Sequence, residues 1–182
     1  MPPEETAPAP DKSRSKWELC IMRHGAAVPL GAEGYADDSK RPLTPDGKKK
    51  MQKISKGLRR LGFAADWIVS SPLLRAVETA EIVAATLGTS IPVDFSDTLS
   101  PGGPPEALLA FLAKHDNRKR ILLVGHEPDL SELAARLTGA GRRANLAFKK
   151  GGCCLIRFDE FPPRSPARLV WWLTPRALRL MA

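Results

Sequence analysis

From Arg120 to Gly125 the chain reads R-I-L-L-V-G, four aliphatic residues in unbroken succession that stop at His126. A strand with one wet face alternates apolar and polar residues, so an unbroken run asks for cover on both faces, the situation of a central strand in a parallel sheet. Parallel neighbours need crossover connections, which helices usually supply. The chain must therefore alternate strands with helices.

It does so along most of its length. W17-E-L-C-I-M22 predicts a buried strand ending at Arg-His-Gly, and a loop rich in Gly, Ala and Asp follows. In R-P-L-T-P-D-G at 41 to 47, Thr44 can cap a helix, Pro45 can take its first turn and Asp46 complements its dipole; the helix runs to about Leu61, before Gly62. D66-W-I-V-S70 predicts a second strand feeding the helix L-L-R-A-V-E-T-A-E-I-V-A-A-T-L, which Gly88 ends. A short strand at 92–95, a P-G-G-P-P loop at 101–105 and a helix at 106–114 lead to the central run. Beyond it come a helix at about 128–137, a strand pair at the sheet edge (152–159 and 167–174) and a last helix from Pro175. The predicted fold class is an α/β three-layer sandwich with a mostly parallel central sheet flanked by helices.

At 182 residues one domain is expected, over 17–182, after an N-terminal tail at 1–16. That tail, M-P-P-E-E-T-A-P-A-P-D-K-S-R-S-K, is proline- and charge-rich, has no apolar segment of a signal peptide and is expected to be disordered. No apolar stretch approaches a membrane span. Three cysteines, Cys20, Cys153 and Cys154, follow no disulfide or zinc spacing, so they read as small buried hydrophobes in a reducing, cytoplasmic protein. Cys153 and Cys154 should point to opposite sides of their strand.

The net charge is +8, which suits a phosphorylated partner or nucleic acid. The basic groups at 48–50, 59–60, 118–120 and 142–143 are scattered with little aromatic interleaving, so solvated helix faces are the better reading and no nucleic acid is expected.

In open α/β sheets ligands sit beyond the carboxyl ends of the strands. Three strands here end in groups suited to phosphate: Arg23 and His24, then Ser71 followed by Arg75, then His126. Each alone has a bland reading as a structural histidine or a surface arginine. Together they imply two histidines and two arginines at one sheet edge. His115, in A-K-H-D-N, serves as the control and is assigned no function.

M-R-H-G-A-A at 22–27, R-P-L-T-P-D-G at 41–47, S-S-P-L-L-R-A-V-E-T-A at 70–80 and V-G-H-E-P-D-L at 124–130 resemble the motifs of the histidine phosphatase, or phosphoglycerate mutase-like, superfamily. They look most like its small SixA-like phosphohistidine phosphatases, and the likeness runs from Trp17 to the C-terminus. The resemblance implies that His24 is the nucleophile, transiently phosphorylated on one ring nitrogen, and that Arg23, Arg75 and His126 line the phosphate pocket. Arg41, Gly25, Ser71 and Glu127 would add contacts, Gly25 through a sharp turn and a backbone N–H close to the phosphate. It also implies no metal and no cofactor.

Two departures bear on the substrate. Many members place glutamate directly after Arg-His-Gly, where this chain has Ala26, and members acting on alcohol esters carry an acid in the loop after the third strand, where this chain reads D-T-L-S-P-G-G-P-P-E. Asp97, Glu106 and Glu127 remain as candidate proton donors, although Glu127, beside His126, reads better as orienting its loop or capping the next helix, and Asp97 and Glu106 as solvated loop and helix-start residues. An alkoxide leaving group needs such a proton, whereas imidazole, with a conjugate-acid pKa of about 6.5, leaves without one. The expectation is a phosphatase acting on phosphohistidine of a protein, open-sited because the connection from Ala26 to Lys40 is short, monomeric, and with no membrane partner. The alternatives are a broad phosphatase for small phosphomonoesters and a non-catalytic phosphate-binding module.

Overall fold

A computed structural model describes residues 16–88, 90–115, 117–141 and 144–182. Residues 1–15 of the expected tail and the Arg142–Arg143 pair lie outside the described residues.

Six strands form one sheet: β1 (Trp17–Arg23), β2 (Trp67–Ser70), β3 (Val93–Phe95), β4 (Arg120–Gly125), β5 (Cys153–Phe158) and β6 (Arg168–Leu173). The helices are α1 (Pro45–Arg60), α2 (Leu74–Leu87), α3 (Pro105–Ala113), α4 (Asp129–Thr138) and α5 (Pro175–Leu180). The order β3-β2-β4-β1-β5-β6 puts the unbroken aliphatic strand β4 between β2 and β1, parallel to both, and leaves β5 and β6 antiparallel at one edge. Both faces of β4 are covered, as its sequence requires.

The alternation of side chains sorts the core into two layers. Leu19, Ile21, Val69, Ile121 and Leu123 pack with Leu108 and Leu112 of α3 and Leu130, Leu133 and Leu137 of α4. Cys20, Met22, Ile68, Leu122 and Val124 pack with Met51, Ile54 and Leu58 of α1, Ala80 and Val83 of α2 and Leu178 of α5. Cys153 and Cys154 fall in opposite layers, and all three cysteines are buried thiols. Among the described residues no helix is long and apolar enough to cross a membrane.

The helix termini follow from local chemistry. Thr44 accepts from Gly47 N through Oγ1 at 2.9 Å, with Pro45 in the first turn of α1. Gly47 is demanded by close approach: a Cβ there would lie 2.1 Å from Ala26 O. That contact ties α1 to the segment just beyond β1, and Thr44 N donating to Ala26 O at 2.9 Å closes the same junction.

Candidate active site

Register puts the polar strand ends together. Arg23 pairs with Gly125 across β1 and β4, and Ser70 with Val124 across β2 and β4, so His24, His126 and Ser71 are the residues that next leave the sheet, side by side. The His24 and His126 rings have centroids 5.1 Å apart, and Ser71 Oγ lies 2.8 Å from His126 Nε2. His24 and His126 are 6% and 4% exposed. The control behaves differently: His115 packs on Trp67, centroids 4.5 Å apart, at the opposite edge of the sheet.

The His24 ring is oriented by its own chain. Nδ1 lies 2.7 Å from Gly25 O, and a carbonyl only accepts, so the neutral ring carries its proton on Nδ1 and its lone pair on Nε2. Burial lowers the His24 pKa to about 3; the Gly25 hydrogen bond opposes this, and His126, Arg75 and Arg23 add to it. His126 falls to about 4, mainly by burial and then by Arg75. Both imidazoles are neutral at pH 7, and His24 Nε2 presents an unprotonated lone pair.

The arginines are fixed by parts of the chain remote in sequence. Arg23 Nη1 donates to Phe148 O at 2.8 Å, and Arg75, only 4% exposed, donates through Nη1 to Asp38 O at 2.8 Å and through Nη2 to Asp38 Oδ2 at 3.0 Å. The Nε of each is buried, with no hydrogen-bond partner among the described residues. Buried donors are rarely left unmatched, so two unmatched guanidinium nitrogens beside two neutral imidazoles mark a place for an oxyanion.

Three expected contacts come out differently, and Glu127 takes the loop-orienting role. Gly25 has no positive φ, and its N–H donates to Thr79 Oγ1 at 3.0 Å rather than facing a phosphate; glycine is required because a Cβ would lie 2.6 Å from Met51 Cγ. Arg41 turns its Nε and Nη2 onto Asp38 Oδ1, at 2.8 and 2.6 Å, and its Nη1 onto Val28 O, so it is tied to its own loop. Glu127 accepts from Phe148 N with one oxygen and from Ser131 Oγ at 2.6 Å with the other, which makes it a brace for the loop that fixes Arg23. Ser71 supports His126 and accepts from Leu73 N at 3.3 Å.

Of the other candidate proton donors, Glu106 pairs with Arg136, and Asp97 is exposed at the start of a 3-10 turn (Asp97–Leu99).

The sequence reading missed Asp38 and Thr79. Thr79 accepts from Gly25 N and donates to Arg75 O at 2.6 Å, joining the His24 segment to the helix that carries Arg75. Its position four residues after Arg75 in α2 was a readable signal, since a helical Thr at that spacing reaches back to the carbonyl. Asp38 stands three residues before Arg41 in a loop with no periodic pattern, where only the i, i+3 charge pair hinted at it.

Neutral imidazoles and guanidinium donors with free N–H groups thus meet at the carboxyl ends of the parallel strands, a combination suited to a tetrahedral oxyanion. Comparison with known proteins places it further. The sequence pattern described as "Histidine phosphatase superfamily (branch 1)" matches residues 19–100. An uncharacterized protein of Picosynechococcus sp. (strain PCC 7002) is 37% identical over 142 residues, covering 77% of this chain and 84% of that one. Phosphohistidine phosphatase SixA of Escherichia coli (strain K12) is 30% identical over 122 residues, 66% of this chain and 73% of SixA. The solved structure of the protein histidine phosphatase SixA complexed with tungstate superposes with a TM-score of 0.76 at 25% identity, covering 88% of this chain and 99% of that one. The chain belongs to the histidine phosphatase superfamily and is a phosphatase of that superfamily.

Proposed function

We propose that this phosphatase, a single domain over 17–182, hydrolyses phosphohistidine on a protein through a covalent phospho-His24 intermediate. The observation that carries the reading is the state of Asp38, the carboxylate in contact with Arg75. Burial raises the pKa of Asp38, but the hydrogen bonds and charges of Arg41 and Arg75 outweigh this and hold it below the ordinary carboxylate value. At neutral pH Asp38 is an anion with no proton to give. A leaving alkoxide would go unprotonated, whereas a phosphorylated imidazole takes its proton from solvent on the distal ring nitrogen and leaves neutral without a donor in the site.

In the first step the His24 Nε2 lone pair forms an N–P bond as the substrate's N–P bond breaks; the substrate ring, protonated from solvent on its other nitrogen, takes the electron pair and departs as neutral imidazole. The Nε groups of Arg23 and Arg75 donate to the phosphoryl oxygens, where phosphoryl transfer asks for charge stabilisation and positioning. In the second step water attacks phosphorus, the bond to His24 breaks, and the water proton passes to solvent or a phosphate oxygen. Two displacements replace one harder one. Similarity to the SixA proteins supports this substrate class. The buried thiols fit a cytoplasmic setting, and the chain is read as a monomer.

The test compares phosphate release from a chemically histidine-phosphorylated protein and from p-nitrophenyl phosphate, using wild type and His24→Ala. Faster release from the phosphohistidine protein, lost in the variant, is expected. Faster release from the ester would overturn the substrate class and show that another proton donor operates.

A further inference from the structure

Asp38 opens a short 3-10 turn, Asp38–Lys40, which Asp37 caps by accepting from Ser39 N at 2.9 Å. From there it engages Arg75 twice, through its own carbonyl at 2.8 Å and through Oδ2 at 3.0 Å. Its other oxygen, Oδ1, is gripped by Arg41 at 2.8 and 2.6 Å. Each terminal nitrogen of Arg75 therefore gives one of its two N–H groups to the same residue, and that residue is buttressed by a second arginine. What remains of Arg75 for an oxyanion is the buried Nε, with no partner among the described residues, and the second N–H of each terminal nitrogen.

A phosphate binds an arginine most tightly through two parallel N–H donors. By taking one N–H from each of Nη1 and Nη2, Asp38 competes with a bound anion for the terminal donors, and its own charge lowers anion affinity at the site. The same contacts remove the rotational freedom of a long side chain, so Nε is presented at one place in every turnover. Interactions made equally with substrate and transition state do not speed the chemical step, whereas prepaid orientation does. From this geometry we infer that Asp38 is a positioning residue: it holds Arg75 for the transferring phosphoryl group and thereby weakens binding of the ground-state anion and the phosphate product. Arg41 acts through it, as its anchor.

The inference rests on Arg75 facing the phosphoryl group, so Arg75→Ala is measured alongside Asp38→Asn, Asp38→Ala and the pair Asp38→Ala with Arg41→Ala. Tungstate affinity is read by calorimetry, and kcat and KM are read with a histidine-phosphorylated protein. Loss of the Asp38 charge is expected to tighten tungstate binding roughly three- to tenfold, because a like charge beside the anion is gone. In the same variants kcat is expected to fall about ten- to a hundredfold while KM also falls, the signature of traded ground-state and transition-state binding. Adding Arg41→Ala should change little further.

A loop that merely needs Asp38 to stay folded would lose kcat and tungstate affinity together, which overturns the inference, as does unchanged kcat in both Asp38 variants. If Arg75→Ala binds tungstate like wild type, the assignment of Arg75 fails and the inference fails with it. A wild type that binds tungstate but does not cleave phosphohistidine would instead fail the substrate reading, and the tungstate comparison would still decide the role of Asp38.

Discussion

Replacing Thr79 with valine removes one hydroxyl without changing volume, and the structure says where the loss falls. Thr79 is fully buried; its Oγ1 accepts the Gly25 N–H at 3.0 Å and donates to Arg75 O at 2.6 Å. Arg75 O keeps its helical partner in the variant, but the Gly25 N–H is left buried and unmatched, a cost of about 1–3 kcal/mol. For a chain of 182 residues, a loss of ~2 kcal/mol lowers Tm by about 4–8 °C, at roughly 2–4 °C per kcal/mol. Gly25 is also the residue whose carbonyl orients His24 Nδ1 at 2.7 Å. Loosening it should cost kcat about tenfold, the equivalent of ~1.4 kcal/mol of transition-state placement. Thr79→Ser is the control: it keeps both hydrogen bonds and loses a buried methyl worth ~1 kcal/mol, so it should unfold somewhat earlier with near wild-type kcat. Urea denaturation and steady-state kinetics on the three proteins read both quantities. Thr79→Val with wild-type stability and kcat would refute the linkage from α2 through Gly25 to His24.

The buried histidines predict an acid-sensitive fold. Their pKa values of about 3 and about 4 lie below the unfolded value of about 6.5, so as pH falls from 6.5 toward 3 the unfolded chain takes up protons first and stability is lost. By pH 5 each contributes a loss of about 2 kcal/mol relative to pH 7, measurable as a drop in urea midpoint; ring proton resonances of either residue titrating near 6.5 would contradict this. In Arg23→Lys the planar fork that reaches Phe148 O is lost, and kcat/KM should fall at least about tenfold with the fold intact, while unchanged kinetics would remove Arg23 from the site. Gly57→Ala should destabilise the protein by about 1–3 kcal/mol despite a helix-propensity gain of ~1 kcal/mol. Its Cβ would lie 2.0 Å from Leu178 O, where α1 meets α5, and thermal unfolding checks it.

Much of the site was legible because each parallel strand announces its own end. Aliphatic runs that stop at Arg23-His24, Ser71 and His126 can only deliver those groups to one edge, and the pairing of β1 and β2 with β4 then sets them side by side. What was not legible depends on contacts between residues far apart in sequence whose local surroundings show no period. Asp38 meets Arg75 from a loop that reads only as small and acidic, and Phe148 O meets Arg23 across most of the chain. Arg41 has the right chemistry for a phosphate site, yet it is consumed in holding its loop, a choice that side-chain geometry makes and residue type does not; Glu127 braces a loop, as its place beside His126 suggests. Gly25 shows the same limit: the sequence suggests a turn, while Met51 packing is what excludes a side chain.

The central claim is that His24 carries the phosphoryl group between substrate and water. Rapid mixing of the enzyme with a histidine-phosphorylated protein, quenched in alkali where phosphohistidine survives, followed by mass spectrometry of the peptide containing residue 24, reads it directly. The account predicts one acid-labile phosphoryl group on His24 Nε2, formed before phosphate appears and absent from His24→Ala. Turnover that persists in His24→Ala, or a phosphoryl group trapped on another residue, would contradict it.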